Sequence, residues 1–241
     1  MMLGLALALP LWAELPAEQV AAARDKWGED IAKLKALDKK EKYSKEAILF
    51  LGSSSVRRWE TIKEDMAPYE VIQRGYGGAK YADLAVFAEE LIAPHEFRAV
   101  VIYVGNDVTG LETDATPEQV AEWFKVVANA ALARQPDAKV FCVAITPTPK
   151  RWEAQPKIRQ VNAALRAACF QNPKFNYVIT NQCFVTEEGL PKEALFVEDK
   201  LHLNAEGYLK WAERIKANLD IAGVKAAKPA KVAKATKDPK S

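Results

Sequence analysis

Three consecutive serines at the end of an apolar run are the first residues in the chain whose types and spacing suit chemistry. The apolar run Ala47–Leu51 stops at Gly52, and Ser53, Ser54 and Ser55 follow. A short, wholly apolar run with a sharp polar end is typical of a buried strand in a parallel sheet. Ligands bind at the carboxyl ends of such strands, so these hydroxyls are candidate nucleophiles. On this stretch alone, a loop that caps a short helix fits equally well.

A serine hydroxyl becomes a nucleophile only when a base takes its proton. The chain has two histidines, and His202 lies three residues after Asp199 at a predicted loop–helix junction. Asp199 can hold one ring nitrogen of His202 while the other faces Ser54. His95 begins the approach to a strand at the opposite edge of the predicted sheet, and we interpret it as a surface residue.

An acyl-transfer site also needs hydrogen-bond donors where negative charge develops on the substrate oxygen. The candidates are the backbone N–H of Ser54, the backbone N–H of Gly78 and the side-chain amide of Asn106. Each lies just after a predicted strand. Taken singly, the glycine and the asparagine also fit an ordinary tight turn.

The elements that must bring these residues together alternate between strand and helix. Strands are predicted at 47–51, 69–73, 99–104, 139–145 and 176–180, and helices at 17–42, up to Leu91, at 116–134, 156–170 and 205–220. Such alternation predicts a parallel sheet with right-handed crossovers and helices on both faces. We therefore expect a flavodoxin-like three-layer α/β/α fold with the strand order 2-1-3-4-5.

Four short blocks make the sequence resemble the GDSL/SGNH hydrolase family. The blocks are Gly52–Ser54, Arg74–Gly78, Val104–Asp107 and Asp199–His202, and they occur in the family's order. The resemblance extends over about residues 46–220. It implies serine-dependent ester hydrolysis on a five-stranded sheet.

The resemblance also implies individual roles. Ser54 is the expected nucleophile, His202 the base and Asp199 its partner, while Gly78 and Asn106 join Ser54 as oxyanion donors. Two positions depart from the family pattern. Ser53 replaces the aspartate that precedes the nucleophile, which leaves the base untouched. Val104 stands where the family has a glycine, and we expect it to reshape the acyl pocket.

Residues that flank the proposed site are candidates for substrate binding, because aromatic rings stack on sugars and polar groups orient them. Core packing explains Trp59 equally well. The candidates are Trp59, Tyr76, Asp107, Arg151 and Trp152. The sequence contains no long apolar lid segment, so we expect short acyl groups such as acetyl, carried by a carbohydrate or a small alcohol.

Composition narrows the partners and cofactors. The chain has 241 residues, 49% of them hydrophobic, and a net charge of only +2, which does not favour a nucleic-acid partner. Its three cysteines have no C-x-x-C spacing, so we expect neither a metal site nor a disulfide framework. We expect no cofactor.

The predicted organisation has four parts. Residues 1–15 are a candidate signal segment, apolar but too short to span a membrane and without a positively charged leader. Residues 16–45 form an N-terminal helical region and residues 46–222 the hydrolase domain. The tail 223–241 carries six lysines against one aspartate, so it is a candidate contact for anionic surfaces, although a solvated tail is simpler. Export to the periplasm or medium is expected if the first segment is a signal, and a cytoplasmic location otherwise.

Three other functions compete with an esterase. An O-acyltransferase would use the same residues with a sugar hydroxyl in place of water, and the sequence does not separate the two. A non-catalytic carbohydrate-binding module on the same fold would use only the groove. A nucleotide-binding protein is disfavoured, because serines stand where phosphate-cradling glycines are needed and Gly75–Lys80 lacks both glycine-rich fingerprints. The sequence gives no indication of oligomeric state.

Overall fold

Five parallel strands form the centre of the protein in the computed structural model, which describes residues 15–226. The strands are β1 (Ile48–Gly52), β2 (Val71–Gly75), β3 (Ala99–Tyr103), β4 (Lys139–Val143) and β5 (Phe175–Val178). Their order is β2-β1-β3-β4-β5, and every neighbouring pair is parallel. The predicted three-layer fold and strand order are therefore confirmed. Most of the candidate signal segment and residues 227–241 of the tail lie outside the described residues.

Seven α-helices connect and cover the strands within the described residues. They are α1 (Ala17–Asp38), α2 (Ser54–Arg57), α3 (Ile62–Asp65), α4 (Tyr81–Ile92), α5 (Pro117–Arg134), α6 (Gln155–Phe170) and α7 (Ala205–Ile221). A 3-10 helix at Pro149–Ala154 precedes α6, and two shorter ones occupy Asn181–Phe184 and Glu193–Leu195. Among these described residues, no helix has both the length and the apolar character needed to cross a membrane.

Each face of the sheet carries its own apolar core, because successive side chains of a strand point to opposite faces. Leu49 and Leu51 of β1 lie in the core formed with α1, α4, α5 and α6. Ile48 and Phe50 lie in the core formed with α3 and α7. All five residues of β1 are buried, as its continuous apolar run predicts.

The N-terminal helix α1 is joined to the sheet next to the glycine block. The Trp27 ring meets the Tyr76 ring edge-on, with 5.5 Å between centroids. Gly77 has a φ of +34°, and a Cβ there would lie 1.9 Å from the Trp27 ring. Asp38, the last residue of α1, accepts hydrogen bonds from Arg74 Nε at 2.8 Å and Nη2 at 2.6 Å. A glycine is therefore required at position 77, and α1 packs directly against the chain that leaves β2.

Two sequence-based expectations in this region are wrong. The helix predicted to reach residue 42 ends at Asp38, where the carboxylate is held by the buried Arg74 and Leu37 is the last apolar residue of the stripe.

His95 is not a surface residue, since only 6% of its side chain is exposed and its Nε2 lies 3.2 Å from Asp38 Oδ1. Burial lowers the pKa of His95 below its ordinary value. The chain around Tyr43 covers this ring, a contact between segments about 50 residues apart.

Candidate active site

The serine block sits at the carboxyl edge of the sheet because β1 turns sharply into α2. Gly52 lets two strands approach closely there, since a Cβ at this position would lie 2.1 Å from the Tyr103 carbonyl oxygen. Ser53 is buried and donates its backbone N–H to the same carbonyl. Ser54 is then the first residue of α2, half-buried, with its side chain at the cleft.

Ser54, His202 and Asp199 are linked by a chain of hydrogen bonds. Ser54 Oγ lies 2.9 Å from His202 Nε2, and His202 Nδ1 lies 2.7 Å from Asp199 Oδ2. The loop that leads into α7 carries both the aspartate and the histidine, and Asn204 caps that helix by accepting from Gly207 N. The structure thus brings together the three residues predicted from widely separated parts of the sequence. This arrangement can withdraw a proton from a serine hydroxyl.

Asp199 holds the loop as well as the ring. Its Oδ1 accepts the backbone N–H groups of Leu201 and His202, each at 2.9 Å. Partial burial would raise the pKa of Asp199, but the hydrogen bonds from the His202 amide, the His202 ring and the Leu201 amide outweigh it and hold the pKa well below its ordinary value. The carboxylate is therefore ionised at any physiological pH, although 41% of its side chain is exposed.

Arg58 is a second neighbour of the histidine. Its Nη1 lies 2.8 Å from His202 Nδ1 and 3.3 Å from Asp199 Oδ2. A guanidinium can only donate and an ionised carboxylate can only accept, so Nδ1 can satisfy one of these two groups at a time. Arg58 and Asp199 therefore favour opposite tautomers of the ring.

The three candidate oxyanion donors lie at the ends of β1, β2 and β3. The N–H groups in the first turn of a helix have no partner within it, which leaves the Ser54 N–H available. Asn106 is half-buried and lines the cleft. Gly78 is exposed, and a Cβ on it would lie 3.9 Å from Asn106 Nδ2. Gly78 and the Asn106 amide are therefore neighbours, and glycine leaves the space between them open.

Three of the residues predicted to bind substrate are in the core instead. Trp59 is fully buried and stacks on Tyr208 with 5.2 Å between ring centroids. Tyr76 is buried against Trp27. Asp107 is fully buried, and both of its carboxylate oxygens accept the backbone N–H of Tyr81 at 3.1 Å. These assignments are wrong, because adjacency to the site in sequence does not determine which way a side chain points.

The buried environment of Asp107 has an electrostatic consequence. Burial, only partly offset by the Tyr81 N–H, raises the pKa of Asp107 to about 7. Asp107 thus connects the segment after β3 with the first residue of α4 through a hydrogen bond. Its carboxyl group binds a proton at a much higher pH than an exposed aspartate does.

The cleft itself is small. Its empty space, including the open mouth, is about 340 Å³. Gly105 lines it, whereas Val104 is buried in the core on the α4 side of the sheet, so Val104 does not reshape the pocket as expected. Arg151 also lines the cleft, but the half-buried Trp152 is not among the lining residues in the described part of the chain. The lining residues are Ser53, Ser54, Ser55, Tyr103, Gly105, Asn106, Ile145, Thr146, Thr148, Arg151, Ile158, Leu201 and His202.

The sequence contained signals for two groups that we did not predict. Arg58 is four residues after Ser54, the spacing that places two side chains on the same face of a helix. Thr146 and Thr148 follow β4, and parallel strands deliver all their carboxyl ends to one edge. Among residues 15–226, no cluster of three or more His, Cys, Asp or Glu side chains could hold a metal ion.

A comparison with known families adds to what the fold shows. The model of the GDSL-like lipase/acylhydrolase family matches residues 48–210. The chain therefore belongs to this family, and the resemblance seen in the four sequence blocks is confirmed. Together, the fold and the family define a carboxylic ester hydrolase.

The chain is also similar to individual proteins in sequence or in fold. Platelet-activating factor acetylhydrolase IB subunit alpha1 from Homo sapiens is 28% identical over 170 residues, which cover 67% of this chain and 70% of that protein. A GDSL-like lipase from Bacteroides thetaiotaomicron has a similar fold, with a TM-score of 0.66 and 21% identity over 80% of this chain and 98% of that one. A carbohydrate esterase family 3 protein from Talaromyces cellulolyticus has a TM-score of 0.59 and 19% identity, covering 75% of this chain and 99% of that one.

Proposed function

We propose that the protein is a serine esterase that removes short acyl groups, acetyl above all, from carbohydrates or small alcohols. The observation that carries the proposal is the contact of Ser54 Oγ with His202 Nε2 at 2.9 Å, extended by the contact of His202 Nδ1 with Asp199 at 2.7 Å. A hydroxyl–imidazole–carboxylate chain at these distances activates a serine at neutral pH.

In the first half of the reaction, Ser54 Oγ attacks the ester carbonyl carbon while His202 Nε2 accepts the hydroxyl proton. Asp199 accepts from Nδ1–H and stabilises the imidazolium that forms. The carbonyl oxygen becomes an oxyanion held by the Ser54 N–H, the Gly78 N–H and Asn106 Nδ2. The imidazolium then gives its proton to the departing alcohol oxygen, and the acyl group stays on Ser54.

In the second half, His202 Nε2 takes a proton from water as the water attacks the acyl carbon. The same donors hold the second oxyanion, and its collapse returns the proton to Ser54 Oγ and releases the carboxylic acid. A sugar hydroxyl in place of water would give the acyltransferase outcome with the same residues.

The size of the cleft supports a short acyl group. Tyr103, Ile145 and Ile158 contribute apolar surface to the cleft next to Ser54, and the cleft holds little free space. A cleft with so little free space favours an acetyl group over a longer chain, which has to leave through the mouth. The names of the acetylhydrolase and carbohydrate esterase relatives are in keeping with this choice.

The test is hydrolysis of p-nitrophenyl acetate, butyrate and octanoate by the wild type and by Ser54→Ala. We expect acetate to be turned over fastest and Ser54→Ala to lose at least about a thousandfold in kcat. Ser55→Ala is the matched comparison, because it removes a hydroxyl from the same cleft one residue away, and it should retain activity within about tenfold. Equal activity in the wild type and Ser54→Ala would mean that Ser54 is not the nucleophile.

The same assay separates the alternatives. Adding a sugar acceptor should leave free acid as the main product of a hydrolase, whereas an acyltransferase would yield mainly the sugar ester. Binding of an oligosaccharide that is equal in the wild type and Ser54→Ala, with no turnover of any ester, would support the non-catalytic module.

We also propose that the protein is exported, on the strength of the apolar stretch at residues 1–13. The measurement is the N-terminal sequence of protein recovered outside the cytoplasm of the expressing cell. A chain that stays in the cytoplasm and retains Met1 would contradict export.

A further inference from the structure

The guanidinium of Arg151 contacts the end of β3 instead of projecting freely into the cleft. Its Nη1 donates to the Gly105 carbonyl oxygen at 2.5 Å, and its Nη2 donates to Asn106 Oδ1 at 2.8 Å. The Thr148 side chain accepts the Arg151 backbone N–H and fixes the start of the 3-10 helix Pro149–Ala154, which carries Arg151. The two terminal nitrogens of the guanidinium therefore donate to two consecutive residues, Gly105 and Asn106.

These contacts determine which way the Asn106 amide points. A guanidinium has no acceptor, so the atom of the amide that faces Arg151 must be the oxygen. On the other side, Asn106 Nδ2 donates to the Ala79 carbonyl oxygen at 3.1 Å, and a carbonyl can only accept. An amide nitrogen carries two hydrogens, so one remains for another acceptor beside Gly78.

The charge of Arg151 also strengthens that remaining donor. A cation bound to the amide oxygen polarises the amide and makes its N–H groups better donors, an effect that grows where water is excluded. Burial lowers the pKa of Arg151 below its ordinary value, which reflects how far the guanidinium has been removed from water.

The 3-10 helix that carries Arg151 also contacts the loop that carries the proposed base. The backbone N–H of Lys150 donates to the Lys200 carbonyl oxygen at 3.0 Å, in the loop that holds Asp199 and His202. The 3-10 helix Pro149–Ala154 therefore spans the cleft between the proposed oxyanion donors and the proposed base.

We propose that Arg151 is a positioning residue that orients and polarises the Asn106 amide for the oxyanion, rather than a group that binds substrate. The proposal rests on the proposed function, in which Asn106 Nδ2 is one of the oxyanion donors.

The test is a double-mutant cycle in kcat and KM between Arg151→Met and Asn106→Ala with p-nitrophenyl acetate. Arg151→Met alone should lower kcat about 10- to 100-fold with KM changed less than about threefold, because the lost interaction acts on the transition state. In the Asn106→Ala background, the same substitution should lower kcat by less than about threefold. Lys150→Met is the control, since it removes an exposed cation from the same helix and should leave kcat within about twofold.

Two kinetic results would overturn the proposal. Equal losses from Arg151→Met with and without Asn106 would show that the two residues act independently. A raised KM with unchanged kcat would assign Arg151 to substrate binding.

A measurement that needs no turnover keeps the proposal separate from the proposed function. The side-chain NH₂ signals of Asn106 in a ¹⁵N-labelled protein, identified by their loss in Asn106→Ala, should shift and broaden in Arg151→Met. Unchanged signals would overturn the positioning role even if Ser54→Ala is inactive. Conversely, shifted signals in a protein whose Ser54→Ala variant retains activity would refute the serine mechanism but leave the contact with Arg151 standing.

Discussion

The two sides of the cleft are built in different ways. On the base side, Asp199, His202 and Arg58 sit on a surface loop and a short helix, and the Asp199 and Arg58 side chains are 41% and 48% exposed. On the oxyanion side, Asn106, Asp107 and Arg151 are buried or half-buried and are held by backbone groups just after β3 and at the start of α4 or just before it. Charges in water can be tuned by neighbours and salt, whereas a buried network is fixed by geometry. The difference indicates a rigid oxyanion side and an adjustable base side.

On the base side, the largest loss of activity is expected when the carboxylate oxygen of Asp199 that accepts from His202 is replaced by an NH₂ group, which can only donate. In Asp199→Asn, the amide oxygen should keep accepting from the Leu201 and His202 backbone, which turns the NH₂ group toward Nδ1. The ring would then carry its proton on Nε2 and could not accept one from Ser54. We expect kcat to fall about a thousand- to ten-thousandfold.

Glu198→Gln is the control for charge, since it removes an exposed carboxylate one residue away. Comparable losses in the two variants would mean that Asp199 acts through the overall field and not through the tautomer.

On the buried oxyanion side, Asp107 should make the free energy of unfolding depend on pH. The native Asp107 carboxyl keeps its proton up to a pKa of about 7, whereas in the unfolded chain it ionises near its ordinary pKa of about 4. Between these values the unfolded state binds fewer protons, so this group makes the protein less stable as pH rises. In Asp107→Asn the contribution disappears, and the stability difference between the two proteins should change by up to about 4 kcal/mol from pH 4 to pH 7.

Urea unfolding of the wild type and Asp107→Asn at several pH values in this window measures the difference. Parallel curves for the two proteins would show that Asp107 is already ionised in the native state at low pH, contrary to the effect of its burial.

The smallest effect is expected at Arg58. Its guanidinium donates toward His202 Nδ1 in competition with the tautomer that Asp199 requires, and it repels the imidazolium that forms during catalysis. Arg58→Ala should therefore raise kcat/KM for a neutral ester about two- to fivefold, and less at high salt, because exposed charge interactions are weak and screened.

Arg57→Ala removes the neighbouring exposed cation, which should leave kcat/KM unchanged within error. A loss of activity in Arg58→Ala would instead indicate that Arg58 contacts the substrate, and the base side would then be less adjustable than we infer.

The sequence predicted the sheet well, because its apolar runs and turn residues are local signals. The observed strand ends differ from the predicted ones by up to two residues. For example, β1 and β2 extend to Gly52 and Gly75, which pair with each other in the sheet register. The predicted fourth strand stops at Val143 rather than at residue 145.

The same reasoning located Ser54, His202 and Asn106 in one cleft, with Asp199 bound to His202, since parallel strands share one carboxyl edge. It failed where the direction of a side chain or a distant contact decides the outcome. Trp59 and Tyr76 point into the cores, and His95 is covered by residues that follow α1. Arg151 was correctly placed at the cleft, but its contact with Asn106 depends on a turn 45 residues away that no local pattern describes.

The contact between α1 and the glycine block changes where the catalytic unit begins. The family match starts at residue 48, yet Trp27 fills the space above Gly77, and Asp38 pairs with the buried Arg74 on β2, the strand next to the one that leads to Ser54. A shortened protein that starts at residue 46 would lack both Asp38 and Glu41, the two carboxylates that contact the buried Arg74, and would uncover Tyr76. For expression, crystallisation or transplantation of the activity, residues 17–45 are therefore inseparable from the enzyme.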